Sequence, residues 1–178
     1  MTHVVLVFSS AGDQMRKFPV KSEDWVGRLT VSKNKVLVTW SGVVRVYGLD
    51  GVYVHSLEDE VLKYARDVTA GPDGQVLVLD WHDQCIYIFT KDCKQQKKFS
   101  IKTEEADYYR VACHPGGEHI IVAGEEKGTR RLLVAIYTKD GECQRTVKLD
   151  RTGWVCGITV SMEGRIRVAV SAGKVIVL

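Results

Sequence analysis

Residues 67–89 read DVTAGPDGQVLVLDWHDQCIYIF, and this stretch decides the fold. A short apolar run is followed by the turn sequence Pro72-Asp73-Gly74 and then by the apolar run 75–79. The polar segment 80–84 separates that run from a second one, 85–89. Short β-branched runs with turn residues between them predict antiparallel strands that are joined as hairpins. The fold class is therefore all-β.

The same pattern recurs along the chain, whereas helical periodicity is almost absent. Equivalent positions of the repeating unit are 39, 43 and 47 residues apart, at Leu29, Val68, Val111 and Ile158. A sandwich also has regularly spaced strands, but it gives no reason for a repeating set of four. Four short strands in each period of about forty residues predict the blades of a β-propeller.

The repeat predicts about four blades' worth of strands, arranged as three complete blades and two partial ones. Residues 4–20 match the third and fourth strands of a unit, so the sequence begins and ends within a blade. The predicted bounds are a partial blade at 1–22, blades at 26–62, 65–104 and 108–151, and a partial blade at 155–178.

Residues 67–89 resemble an NHL repeat, with a first strand, a DG turn, an apolar second strand ending in Asp80, a polar loop and a third strand ending in Phe89. The Asn-His-Arg signature of that loop is absent from this sequence. NHL repeats form the C-terminal domain of TRIM (tripartite motif) proteins, usually as a six-bladed ring. The resemblance implies an incomplete ring of NHL-type blades, serving as the part of a TRIM-type ubiquitin ligase, or of a divergent fragment of one, that binds protein or RNA. The ligase activity of such a parent protein would lie in a RING domain, which this sequence lacks.

Charge and composition limit the other classes of function. The net charge of +3, from 25 basic and 22 acidic side chains, does not by itself indicate nucleic-acid binding. The sequence has no apolar run long enough to span a membrane and no signal peptide at its start. We therefore expect a cytoplasmic protein with no membrane partner.

Chemistry-bearing motifs are scarce. The five cysteines contain no CxxC pair, and the five histidines are spread over different units. Asp80, His82 and Asp83 resemble a metal or acid–base trio, but adjacent loop residues of these types more often cap turns. We therefore predict no enzyme activity, no metal, no cofactor and no small-molecule substrate.

Aromatic and arginine side chains concentrate at one predicted end of the blades. This end carries the loops that lead into each first strand and those that join second strands to third strands. Such side chains can anchor a protein partner, or stack on bases and pair with phosphates of RNA. Trp25, Tyr64 and Trp154 hold equivalent places, so a role as wedges between blades is the structural alternative. The candidate binding residues are Arg28, Trp40, Arg66, Trp81, His82, Tyr109, Arg110, Arg130, Arg131 and Trp154.

The incomplete set of blades has a further consequence. An open arc leaves its terminal blade faces apolar and its terminal strands unpaired, which favours association. The alternatives are an unusual four-bladed ring and a homodimer that completes a larger propeller, and we favour the dimer.

Overall fold

A computed structural model describes residues 2–21, 26–40, 42–57, 61–171 and 173–178. Within these ranges the chain forms β-strands and one short 3₁₀ turn at Pro72–Gly74, and no helix there is long and apolar enough to cross a membrane. The strands are β1 (Thr2–Phe8), β2 (Gln14–Lys21), β3 (Val26–Ser32), β4 (Lys35–Trp40), β5 (Val43–Gly48), β6 (Tyr53–Ser56), β7 (Ala65–Ala70), β8 (Val76–Asp80), β9 (Cys85–Phe89), β10 (Gln95–Ser100), β11 (Ala106–Cys113), β12 (His119–Glu126), β13 (Arg131–Thr138), β14 (Cys143–Thr152), β15 (Val155–Val160), β16 (Ile166–Val170) and β17 (Lys174–Val177).

The strands form antiparallel sheets in which neighbours along the chain are also neighbours in space. The first blade is β3–β6, the second β7–β10, the third β11–β14 and the fourth β15–β17. The β1–β2 hairpin packs against the first blade. This is a four-blade β-propeller arrangement, so the predicted all-β propeller is confirmed.

The cores lie between blades because a middle strand has a neighbouring sheet on each of its faces. Strands β8 and β9 are buried at every position, and the outer strand β10 alternates between exposed and half-buried residues. Val78 and Tyr87 pack towards the first blade, whereas Leu79 and Ile88 pack towards the third. Each fully buried aliphatic side chain stabilises the fold by about 1.5–3 kcal/mol, so stacking of blades supplies most of the stability.

Both ends of the blade series carry exposed apolar faces. Val4, Leu6 and Phe8 of β1 are about half exposed, as are Val175 and Val177 of β17. Val5 and Val7, which alternate with the exposed residues of β1, pack on the core next to β4. The terminal blade faces of the described chain are therefore open to solvent.

A β-bulge lies near the start of the first strand of every blade. The extra residue is Arg66 in β7, Tyr109 in β11 and Cys156 in β15, and the register of β3 shifts between Val26 and Leu29. A bulge bends the strand and redirects a side chain that would otherwise follow the alternation of the sheet. The repeated bulge thus places one side chain per blade at the same end of the propeller.

Candidate recognition site

The loops that lead into first strands lie beside the loops that join second strands to third strands, as the sequence predicts. Backbone hydrogen bonds connect the two sets, and we call this end of the propeller the top face. These bonds join Ala65 N to Gly42 O (2.6 Å), Trp81 N to Tyr64 O (2.9 Å), Lys127 N to Glu105 O (2.7 Å) and Ser171 N to Trp154 O (3.0 Å).

Four of the predicted residues form a continuous row across the second, third and fourth blades. The guanidinium carbon of Arg66 lies 5.9 Å from the ring centroid of Tyr109. The Tyr109 and Trp154 centroids are 6.2 Å apart, and the Arg130 guanidinium carbon lies 4.5 Å from the Trp154 centroid. Trp154 is 52% exposed, so it is a surface residue and not the wedge between blades that its position in the repeat allowed. Tyr64 is also exposed, and Trp25 lies outside the described residues.

A cavity of about 360 Å³ opens beside Trp154, and we call it the Trp154 pocket. Its described lining residues are Asp107, Tyr109, Glu125, Glu126, Lys127, Gly128, Arg130 and Trp154. Glu125 is only 5% exposed. Its Oε2 lies 3.6 Å from Arg130 Nε, and its Oε1 has no hydrogen-bond partner. Burial raises the pKa of the Glu125 carboxyl group, and the Arg130 charge opposes that rise.

Arg130 has an unusual backbone conformation for its residue type. Its φ is +57°, in the left-handed region, and its N–H donates to Glu126 O at 2.9 Å. A side chain other than glycine at such an angle costs on the order of 1 kcal/mol, and such strain concentrates at binding sites. The stacking of Arg130 on Trp154 and its ion pair with Glu125 offset part of that cost.

Arg110 follows the bulge residue Tyr109 in β11, and its guanidinium group is bound to the backbone. Its NH1 donates to Tyr109 O at 2.7 Å, and its Nε donates to Cys156 O at 3.2 Å. Burial, together with the nearby charge of Arg28, lowers the pKa of Arg110 to about 10. Arg110 therefore joins the third blade to the fourth.

Asp67 follows the bulge residue Arg66 in β7, and its charge partly opposes the lowering of the Arg110 pKa. Its carboxylate accepts the N–H groups of Val68 (3.0 Å) and Val111 (2.9 Å), which joins the second blade to the third. Burial raises the pKa of Asp67 to about 6, against the opposing effect of those hydrogen bonds and of the Arg110 charge. Asp107 instead pairs with Lys127 at 3.4 Å.

The second blade has a different arrangement in residues 80–84, which we call the Asp80 loop. Asp80 is fully buried, and its carboxylate accepts the N–H groups of Lys63 (2.7 Å), Tyr64 (2.8 Å) and Asp83 (3.1 Å). Asp80 therefore fixes the loop leading into β7. Of the Asp80–His82–Asp83 trio, Asp80 caps backbone N–H groups, and among the described residues no group of three metal-ligating side chains is placed to hold an ion.

Asp83 and Gln84 of the Asp80 loop are also bonded. Asp83 pairs with Lys63 (2.9 Å), Lys98 (3.2 Å) and the His82 ring (3.2 Å). The hydrogen bond from Lys63, followed by those from His82 and Lys98, holds the Asp83 pKa well below its usual range. Gln84 accepts Tyr108 N–H at 3.1 Å and donates to Trp81 O at 3.0 Å.

The other predicted residues lie apart from the Trp154 pocket. Trp40 stacks under Arg45, whose guanidinium carbon is 3.3 Å from the ring centroid. Trp81 is 43% exposed and packs edge-on against Tyr64. Arg131 lines a different cavity, with Asp150, Arg151 and Lys174.

Sequence reasoning missed Glu125, the most buried charged group of the pocket. The signal that could have found it is the pair Glu125-Glu126 directly before the cationic segment 127–131. Sequence reasoning took account of the cations of this segment and gave the adjacent acids no role. Alternation in β12 could not reveal it, because every residue from Ile120 to Glu125 is buried.

Comparisons with known proteins support the fold and leave the family open. No protein-family model matches this chain, and no curated protein matches it. A Bacteroides caccae protein of unknown function has a similar structure, with a TM-score of 0.70 and 16% identity over 99% of this chain and 68% of that one. The WD40 β-propeller domain of Doa1 matches with a TM-score of 0.68 and 18% identity over 87% of this chain and 51% of that one. Virginiamycin B lyase from Staphylococcus aureus matches with a TM-score of 0.59 and 19% identity over 86% of this chain and 55% of that one.

These identities establish the fold alone. The chain spans between 51% and 68% of the length of these three structures. The propeller fold is commonly a protein-interaction module, although one of these three proteins is an enzyme.

Proposed function

We propose that this chain is a non-catalytic recognition module that binds a protein partner through its top face. The observation that carries this proposal is the row Arg66–Tyr109–Trp154–Arg130, which spans three blades and ends at an open pocket. Tryptophan, tyrosine and arginine are the residue types that contribute most to binding energy at protein interfaces.

The charge distribution favours a protein partner over RNA. A groove for nucleic acid needs cations that are available to phosphates. Arg110 donates to backbone carbonyl groups, and Lys127 is paired with Asp107. Glu125 and Glu126 line the same pocket, where they would repel a phosphate. This mixture of acids, cations and aromatic rings suits a polypeptide surface.

The absence of catalysis in this proposal rests on the bonding of the candidate acids and bases. Asp80 is occupied by three backbone N–H groups, and His82 lies against Asp83. The described residues that line the Trp154 pocket include no serine, cysteine or histidine, so none supplies the usual nucleophile–base pair.

A finer proposal follows from the resemblance to NHL repeats. Residues 67–89 support NHL-type blades, and a TRIM-type ubiquitin ligase, or a divergent fragment of one, would use this propeller to recognise its partner. The exposed apolar faces of β1 and β17 support a homodimer that completes a larger propeller. Sedimentation velocity at micromolar concentration tests the dimer, and a monomer throughout that range would refute it.

The proposed function is tested by quantitative affinity capture from a cell lysate with three immobilised chains. These are the wild type, the top-face variant Arg66→Ala/Trp154→Ala, and a control variant, Lys94→Ala/Lys139→Ala. Lys94 and Lys139 are exposed in turns between third and fourth strands, at the opposite end of the blades. We expect a protein that both the wild type and the control retain and that the top-face variant loses by about tenfold or more.

A parallel filter-binding assay with single-stranded RNA pools tests the alternative, that the top face binds RNA. RNA binding that is lost in Arg66→Ala/Arg110→Ala and that weakens steeply with salt would replace the protein proposal. Equal capture of every protein by the wild type and the top-face variant would also overturn it.

A further inference from the structure

We propose that the Trp154 pocket binds the guanidinium group of an arginine side chain on the partner, and that Arg130 occupies this place in the free chain. This inference rests on the proposed function, because it assigns to the same site the chemical group that it recognises. The residues that would hold the incoming group are Tyr109, Glu125 and Trp154.

Glu125 has an unsatisfied carboxylate oxygen. The residue lines the pocket, and its Oε1 is buried and accepts no hydrogen bond. A buried polar atom without a partner costs about 1–3 kcal/mol, and more when the group is charged. A guanidinium group has five N–H donors in a planar arrangement that matches a carboxylate, and its charge opposes that of Glu125.

The pocket already contains a guanidinium group, that of Arg130. The Arg130 guanidinium carbon lies 4.5 Å from the Trp154 centroid, and its Nε lies 3.6 Å from Glu125 Oε2. A cation over the face of tryptophan within about 6 Å of its centroid is attracted by the ring quadrupole. The geometry therefore demonstrates that an aromatic ring and a carboxylate hold a guanidinium group here.

Arg130 fits the Trp154 pocket poorly. Its ion pair with Glu125 is longer than a direct hydrogen bond, it does not reach Oε1, and its side chain is 57% exposed. Its backbone is left-handed, with φ at +57°. An arginine that approaches from outside has no such backbone constraint and can bond both carboxylate oxygens. Release of Arg130 is thus the cost of binding, and removing Arg130 should increase affinity.

The test is an NMR titration of the ¹⁵N-labelled chain with Nα-acetyl-arginine amide. The readout is the indole N–H signal of Trp154, assigned by its loss in Trp154→Phe. The uncharged comparison ligand is Nα-acetyl-citrulline amide, which has nearly the same shape. We expect saturable movement of the Trp154 signal with a millimolar Kd for arginine, and about tenfold weaker binding of citrulline.

Two variants and one control separate the roles of the residues. Glu125→Gln keeps the shape of the side chain and should weaken arginine binding by about tenfold. Arg130→Gly removes the internal cation and accommodates the left-handed backbone, so it should tighten binding by about threefold or more. Arg145→Ala removes the same charge from the exposed outer strand β14 of the same blade, outside the pocket lining, and should leave the Kd unchanged.

The outcomes also distinguish the arginine site from the proposed binding of a protein partner by the top face. Equal response to arginine and citrulline, or an unchanged Kd in Glu125→Gln, would overturn the arginine site. An unchanged or weaker Kd in Arg130→Gly would overturn the displacement of Arg130. Either result leaves the partner captured by the top face intact, whereas failure of the capture experiment overturns the proposed function even if free arginine binds.

Discussion

The Asp80 loop and residues 125–131, here called the Glu125 loop, hold the same place in two successive blades and have opposite properties. In the Asp80 loop the carboxylates of Asp80 and Asp83 and the amide of Gln84 are all hydrogen-bonded. In the Glu125 loop a buried carboxylate oxygen has no partner, and the side chain of Arg130, which pairs with the other oxygen, is 57% exposed. The repeat thus uses one loop to fix the scaffold and leaves the other able to bind.

This difference shows where a repeated fold is free to change. The central residues of middle strands such as β8 and β12 are confined between neighbouring blades, so these residues must stay apolar. Loops on the top face have no such constraint, and recognition residues concentrate in loops of this kind. Substitutions in the Asp80 loop should therefore reduce stability, whereas those in the Glu125 loop should mainly affect binding.

The largest effect is expected from Gly124→Ala, directly before Glu125. A Cβ at this position would overlap the carbonyl oxygen of Asp107 and lie 2.7 Å from Tyr108 Cα. Both obstacles are backbone, so the strands must separate, and we expect a loss of about 3 kcal/mol in urea unfolding. Gly157→Ala is the control, because its Cβ would meet only the Ala169 Cβ, at 4.0 Å. Equal losses in the two variants would contradict the close approach of β11 and β12.

The second largest effect is expected from Asp80→Asn. The amide nitrogen replaces a carboxylate oxygen that accepts backbone N–H in the wild type, so a donor would face a donor. We therefore expect the free energy of unfolding to fall by about 2 kcal/mol or more. Glu125→Gln makes the same chemical change in the other loop, where one oxygen has no partner to lose. Its free energy of unfolding should change by less than about 0.5 kcal/mol, and a loss as large as that of Asp80→Asn would refute the contrast.

The next comparison substitutes glycine for the residue with a left-handed backbone in each of the two loops. Gln84 has φ at +49° and Arg130 at +57°, so glycine relieves similar strain at both. Gln84→Gly also removes the bonds to Tyr108 N and Trp81 O, and should cost about 1–2 kcal/mol. Arg130→Gly should be nearly neutral in thermal unfolding. A greater loss at Arg130 would mean that this side chain belongs to the scaffold.

The smallest effect is a difference in the sign of pH dependence. The pKa of Asp83 is lowered in the folded chain, so its contribution to stability is present above the unfolded pKa and is lost as the pH falls below about 4. The pKa of Glu125 is raised, so its contribution increases as the pH falls through that raised value towards its ordinary one. Thermal unfolding of wild type and both variants is measured between pH 3 and pH 7. As the pH falls, the unfolding temperature of wild type should lose its advantage over Asp83→Asn and should rise relative to that of Glu125→Gln. If both differences in unfolding temperature changed in the same direction with pH, the two carboxyl groups would not lie in the opposite environments described here.

Much of the fold was predictable because its signals are local. The runs 75–79 and 85–89 nearly coincide with β8 and β9, and the turn at 72–74 lies where the DG sequence placed it. The side on which the loops gather also follows from antiparallel alternation, which needs only the order of the strands. These features depend on residues within a few positions of one another.

The site was predictable only in part because it depends on contacts between blades. Tyr109 is the extra residue of a β-bulge and lies beside Trp154, and no sequence pattern predicted that bulge. Arg130 and Arg131 are adjacent in sequence and lie beside different cavities. Glu125 shares its pocket with side chains from β11 and from the loop before β15, so β12 alone could not reveal this site.

The most direct test of the central claim compares Trp154→Ala with Trp81→Ala in quantitative capture of the top-face partner. The two indoles are comparably exposed, at 52% and 43%, and both lie on the top face. If the Glu125 loop and Trp154 form the recognition site, Trp154→Ala reduces capture about tenfold and Trp81→Ala reduces it less than about twofold. Equal reductions, or a greater one in Trp81→Ala, would contradict the account.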